Sequence, residues 1–143
     1  MSKNGGRGVA LSIDDSKYVT FVLGRMTFEY DENKNKINIE KHGISFESAA
    51  RVFFDYDRIE LYDEENSNFE ERYDVIGDLS AGSVTLSESA DVMIGNVGTD
   101  DVLFVVYTER IKRNEHGIEV DVTRLISARY ATNFERGLYY GKF

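Results

Sequence analysis

Cysteine, proline and tryptophan are absent from the 143 residues. Without cysteine the chain can form neither disulfides nor thiolate metal sites, and nothing marks its redox compartment. Long hydrophobic runs are missing too: no stretch approaches the roughly 18 apolar residues of a membrane-spanning helix. The opening MSKNGGRGVALSIDD carries too short and too interrupted an apolar stretch for a secretory signal, so a cytoplasmic location without a membrane partner is expected. Positive charge is scarce, with 17 Lys and Arg against 26 Asp and Glu and a formal charge of −9. That balance argues against broad, nonspecific nucleic-acid binding, which depends on clustered cations. The excess is uneven, however, because residues 55–78 hold ten acids against Arg58 and Arg72. A local basic site can survive elsewhere.

Several motifs are also lacking. No phosphate-binding G-x-x-x-x-G-K-[ST], nucleophile elbow or H-E-x-x-H occurs, so nucleotide, acyl-transfer and zinc-protease readings have no support. The acidic run Asp63, Glu64, Glu65, Glu70, Glu71 lacks the spaced pattern of a calcium loop and reads as a solvated loop. No metal site and no cofactor are expected.

What is present is the length for one domain, enough to bury roughly 68% of the unfolded chain's surface, and a strong strand signal at residues 101–129. Val102, Phe104, Val106 and Thr108 alternate with Leu103, Val105 and Tyr107, making both faces apolar, as in a strand covered on both sides. Residues 119–129 alternate again, Val120, Val122, Arg124, Ile126 and Ala128 against Asp121, Thr123, Leu125, Ser127 and Arg129. The polar connection 111–117, with Asn114 and Gly117, makes the two an antiparallel hairpin. Upstream, residues 1–25 read as an N-terminal extension in which 17–23 form an edge strand, and residues 26–30 are a further strand. Asp31 is placed to cap a polar helix at 32–42 that Gly43 closes. Ser45 caps a second helix, whose Phe46, Ala49, Ala50 and Phe53 form one apolar face. Strands follow at 58–62 and 71–77, then an ambiguous 79–100 that reads as a hairpin or a long loop. A last helix at 131–140 should turn Phe134, Leu138 and Tyr139 inward.

The blocks FEYDENKNKINIEKHGISFESAARVFFD, EERYDVIG, VVYTER and ISARYATNFERGLYY, in that order, resemble the BrnT family of bacterial toxins. The resemblance covers about residues 28–140, so residues 26–143 are expected to be the toxin domain. It implies an α+β fold like that of RelE-type ribonuclease toxins, a small antiparallel sheet packed by two N-terminal helices and one C-terminal helix. It also implies a ribonuclease toxin of a type II toxin–antitoxin system. The antitoxin would be BrnA-like, with a ribbon-helix-helix part through which alone the pair meets DNA. The alternative is a noncatalytic antitoxin-binding module that keeps the fold without the nuclease.

The cleavage this resemblance implies is metal-independent: the ribose 2′-hydroxyl attacks the adjacent phosphate. Positive charge must face the phosphorane, and some group must take and give a proton. Arg72, Arg110 and Arg129 match family positions near strand ends, where a guanidinium can bind phosphate in bidentate fashion. Equally, each can pair with a local carboxylate such as Glu71, Glu109 or Asp74. His42 has the ordinary pKa for acid–base work, yet its place before Gly43 also suits capping of a helix C-terminus. Glu109 is a candidate base, or a neutraliser of an arginine. Alternation puts it on the side of Tyr107 and opposite Arg110. For RNA binding the candidates are Lys41, Tyr107, which can stack on a base or fill the core, and Arg136 of the E-R pair on the last helix. His116 in the hairpin turn reads as surface.

Overall fold

A computed structural model describes residues 17–80 and 101–141. The ambiguous stretch 79–100 therefore lies almost wholly outside the described residues, as do the first 16 residues. Among the described residues six strands form one sheet: β1 (Tyr18–Leu23), β2 (Met26–Asp31), β3 (Ile59–Tyr62), β4 (Tyr73–Asp78), β5 (Val102–Arg113) and β6 (Glu119–Tyr130). Their order across it is β1-β2-β6-β5-β4-β3. The fold is α+β, but the sheet is mixed rather than antiparallel, because β2 and β6 pair in parallel while the other neighbours are antiparallel. A parallel pair requires a crossover rather than a tight turn. Here the crossover is nearly the whole chain between Asp31 and Glu119, so no local signal announces it.

Asp31 ends β2 and starts helix α1 (Glu32–His42), its carboxylate accepting from the backbone N–H of Asn33 at 2.8 Å and of Lys34 at 3.3 Å. Gly43, at φ 73°, closes the helix in the left-handed conformation that glycine adopts without steric cost. Ser45 caps only a single α-turn, α2 (Phe46–Ala49), and the chain then tightens into a 3₁₀ turn over Ala50–Phe54. The expected second helix is therefore shorter, although its apolar face is as read: Phe46, Ala49, Ala50 and Phe53 are all buried. These residues pack with Phe28, Tyr30, Val75, Val105, Tyr107, Leu125 and Ala128 in one core. Aromatic contacts run through it, Phe28 against Phe21 and Phe53, and Phe53 edge-on to Tyr107.

The hairpin is longer than its polar composition suggests, with β5 continuing through Ile111 to Arg113 and only residues 114–118 left for the turn. β6 departs from strict alternation. Val106 stands opposite Ser127 while Tyr107 stands opposite Leu125, so Ile126 is an extra residue in β6, a β-bulge. The bulge brings Leu125 and Ala128 to the core face and moves Arg129 onto the same face as Arg124, where simple alternation had opposed them. Helix α3 (Asn133–Tyr140) starts with a capping box between Thr132 and Glu135. Its Phe134 is 65% exposed rather than inward. The helix is instead tied down by the Tyr139 hydroxyl, which donates to buried Asp55 at 2.5 Å.

Gly77 in β4 lies where a Cβ would stand 3.0 Å from Val52 Cβ and 3.1 Å from the Val52 carbonyl oxygen. Gly77→Ala should therefore destabilise the chain by about 1–3 kcal/mol, read from the urea midpoint. An unchanged midpoint would show that β4 and the 3₁₀ turn do not pack this closely.

Candidate active site

The register divides the charged residues between the two faces of the sheet. Thr108 pairs with Arg124, which pairs with Glu29, and Arg110 and Lys112 follow Thr108 on the same face by the strand period of two. Arg72 precedes Tyr73, the partner of Tyr107, and so reaches that face as well. Two carboxylates hold these cations. Glu70 accepts from Arg72 Nη2 at 3.3 Å and from Arg110 Nη1 at 3.4 Å. Glu29, only 1% exposed, accepts from Lys112 Nζ at 2.8 Å and Arg124 Nε at 2.6 Å. The guanidinium of Arg124 also lies 3.9 Å from the centre of the Tyr18 ring. The two cations offset the cost of enclosing the Glu29 carboxylate away from water.

Beside the Glu70 cluster a cleft of about 950 Å³ opens across the later part of β5 and the start of β6. Arg25, Glu70, Glu71, Glu109, Arg110 and Asp121 supply its charges, and Phe69, fully exposed, stands at its rim. The Thr108 hydroxyl donates to the Glu71 carbonyl oxygen at 2.6 Å, fixing the chain that carries Glu70 against β5.

Further along the same face, from Arg110 back to Phe104 and therefore about 20 Å away, Arg129 forms two bonds to Glu135, Nη1 to Oε1 at 2.8 Å and Nη2 to Oε2 at 3.0 Å. Its guanidinium packs on the Phe104 ring at 4.3 Å. Burial works against the Glu135 charge, but the bonds from Arg129 and from the Thr132 backbone outweigh it and hold the carboxyl below its usual value. Asp74, 9% exposed, is pushed up to about 7, by burial first and then by the hydrogen bond and charge of Asp63, with Glu135 adding and Arg129 opposing.

Of the residues singled out in the sequence, Arg72, Arg110 and Arg129 thus share a face, and the first two share a carboxylate. Their partners are Glu70 and Glu135 rather than Glu71, Glu109 or Asp74. Glu109 is exposed in the cleft and, as alternation predicted, opposite Arg110. Tyr107 is 4% exposed, wedged between Phe53 and Tyr73, where burial raises its hydroxyl pKa further. Lys41 and His42 are exposed on the last turn of α1, which leads into the core through Ile44 and is bound to β6 through Asn38. They are not brought to the arginine face. Arg136 is half-buried on α3. Arg124, Lys112 and Glu29 had not been singled out. Arg124 was visible within an alternating strand, but its coming together with Glu29 depends on the parallel pair. Among the described residues no group of His, Asp and Glu is arranged to hold a metal ion, and no helix is long and apolar enough to cross a membrane.

The molecule is thus a small α+β protein whose mixed sheet presents two arginines on one carboxylate beside an open cleft. Residues 30–87 match the family model described as the ribonuclease toxin BrnT of type II toxin–antitoxin systems. Over that segment the chain is similar to the ribonuclease toxins of such systems. The segment contains His42, Arg72 and Asp74, while Arg110, Arg124 and Arg129 follow it. No curated protein matches the chain.

The raised pKa of Asp74 has a consequence for stability. The folded state binds its proton more tightly than the unfolded chain does, so this contribution is complete below about pH 4 and is lost as pH rises through about 7. Asp74→Asn should therefore gain in Tm over the wild type between pH 5 and pH 8, by a few degrees at pH 8. Parallel Tm profiles for the two proteins would contradict the raised value.

Proposed function

We propose that the Glu70 end of the arginine face binds and cleaves RNA without a metal ion. The observation that carries this reading is the Glu70 carboxylate held by Arg72 and Arg110 together, beside the cleft. Two guanidiniums converging on one carboxylate suit a phosphate equally well, since both anions offer planar or near-planar pairs of acceptor oxygens. With Glu70 displaced, Arg72 and Arg110 face the scissile phosphate as the 2′-hydroxyl attacks it, and they stabilise the charge that grows on the phosphorane. Glu109 lies at the cleft beside the strand. Arg136, Lys41 and His42 meet RNA outside it, and Tyr107 supports the site from the core. The fold is assigned to the RelE-like type, with residues 26–143 as the toxin unit and β1 added at its edge. The proposed neutralising partner is a BrnA-like ribbon-helix-helix antitoxin, the proposed compartment is the cytoplasm, and contact with DNA comes only through that antitoxin.

One observation favours a second reading, a noncatalytic module that keeps the antitoxin-binding surface. The cleft carries Glu70, Glu71, Glu109 and Asp121 against Arg25 and Arg110, a field that opposes RNA.

Induced expression in a bacterium separates the two readings. The wild-type chain should arrest growth with decay of total RNA. Arg72→Ala and Arg110→Ala should each lower cleavage by roughly 100-fold, the scale of losing one transition-state donor, while remaining folded by circular dichroism. Growth without RNA decay from soluble, folded wild-type protein would favour the noncatalytic module.

A further inference from the structure

Beside Arg72 stands a pair of carboxyl groups that the arginine reading leaves unused. The Asp63 N–H donates to the Arg72 carbonyl oxygen at 2.9 Å, one step beyond the pairing of Tyr62 with Tyr73. Asp63 and Arg72 are therefore cross-strand neighbours. Asp74 follows Arg72 by two residues on the same face, and the Asp63 carboxyl acts on it at short range. Asp63 is partly exposed and steadied by Asn66, whose side-chain amide donates to both of its oxygens at 3.1 Å. Asp74 lies behind it. Two buried side-chain atoms among the described residues lack a hydrogen-bond partner, Arg72 Nε and Asp74 Oδ1. An unpaired donor and an unpaired acceptor two residues apart on one strand face form a couple. A ligand that accepts at one point and donates at the other would complete it, as a ribose 2′-hydroxyl next to a phosphate oxygen does.

Resting on the nuclease reading above, we propose that Asp63 and Asp74 are the acid–base pair of the cleavage, Asp63 meeting the ribose and Asp74 holding a proton behind it, with Arg72 on the phosphate. The ionised carboxylate takes the 2′-hydroxyl proton as the 2′-oxygen–phosphorus bond forms. The phosphorus–5′-oxygen bond breaks, and the pair returns a proton to the departing 5′-oxygen, ending as it began. Asp63 is the catalytic residue and Asp74 a positioning residue. The charged groups acting on Asp74 are Asp63 from the loop after β3, Glu135 from α3 and Arg129 from β6. Its β5 neighbour, Val106, is apolar. The value of about 7 at Asp74 places its proton exchange at neutral pH, where a group that supplies or receives a proton is most effective.

The test is the pH–rate profile for cleavage of a short RNA by the full chain and its variants between pH 5 and 9. In the wild type kcat should rise through a limb near pH 7. Asp63→Asn should lose roughly 100-fold in kcat with KM little changed. Asp74→Asn should abolish or displace the limb, a change that a merely structural role would not produce. Wild-type cleavage matched by both variants, with the same limb, overturns the pair and leaves the nuclease reading intact. Intact RNA with the wild type removes that reading and the acid–base role with it. If a variant fails to fold, the carboxyl 13C titration of the unaltered chain decides. Binding an oligonucleotide with a 2′-deoxy residue at the cleavage position should move the Asp74 titration upward, and no movement overturns the proposal.

Discussion

The single extra residue in β6 determines where the cations of the last two strands point. Opposite the step from Val106 to Tyr107, β6 spends one more residue than β5. Had the period of two run unbroken, Leu125 and Ala128 could not both face the core, and Arg124 and Arg129 would leave the sheet on opposite sides. With Ile126 taken up in the bulge, Leu125 and Ala128 are buried together and both arginines join Arg72 and Arg110 on the other face. The hydrophobic demand for Leu125 and Ala128 is strong, since each is almost fully enclosed, so burial of apolar side chains on one face organises charge on the other.

Each of these cations has a carboxylate partner on the face, with three carboxylates serving five cations. Glu29 sits under Lys112 and Arg124, Glu70 between Arg72 and Arg110, and Glu135 against Arg129. These pairs differ in what they cost to open. Glu29 is enclosed, so parting it from its cations would leave a buried charge unpaired. Glu70 is partly exposed and its two contacts, at 3.3 and 3.4 Å, are longer than those of Glu29. The face therefore has a fixed part and an exchangeable part, and the exchangeable part, where the proposed reading puts the phosphate, lies beside the cleft. The acidic net charge weakens the approach of RNA from a distance, yet ion pairs at contact range are screened far less than the long-range field.

Local chemistry was legible in the sequence where a short-range rule governs it. Asp31 and Gly43 marked the ends of α1 because a cap acts within a few residues, and the spacing of Phe46, Ala49, Ala50 and Phe53 marked the buried face even though half of it is 3₁₀ rather than α. β5 was legible because its two apolar faces are both covered. What the residues concealed is long-range. The parallel pairing of β2 with β6 joins segments far apart in sequence, and without it nothing brings Glu29 to Arg124. The bulge is a response to packing rather than a turn signal. Phe134 looked apolar enough to be inward, but α3 is held by the Arg129–Glu135 and Tyr139–Asp55 contacts, which leave that side of the helix outward. Of the site, the identities of Arg72, Arg110 and Arg129 could be read, whereas their carboxylate partners could not, because Glu70 and Glu135 face the arginines only after the β4–β5 pairing and the α3 capping box form.

The same dependence explains why His42 does not join the arginines and why Glu109 reaches the cleft from the opposite side of β5 to Arg110. Motif position places a residue along the chain, but the sheet decides which side of it the residue reaches. His42 ends a helix bound to β6 through Asn38 and carried into the core at Ile44. Glu109 alternates away from Arg110. Neither can be moved to the arginine face without breaking a helix cap or reversing a strand's alternation, both of which involve buried neighbours. Around Arg72 and Arg110 the carboxylates come from the β3–β4 hairpin, so the acidity of residues 55–78, a solvated loop by composition alone, stands beside these arginines.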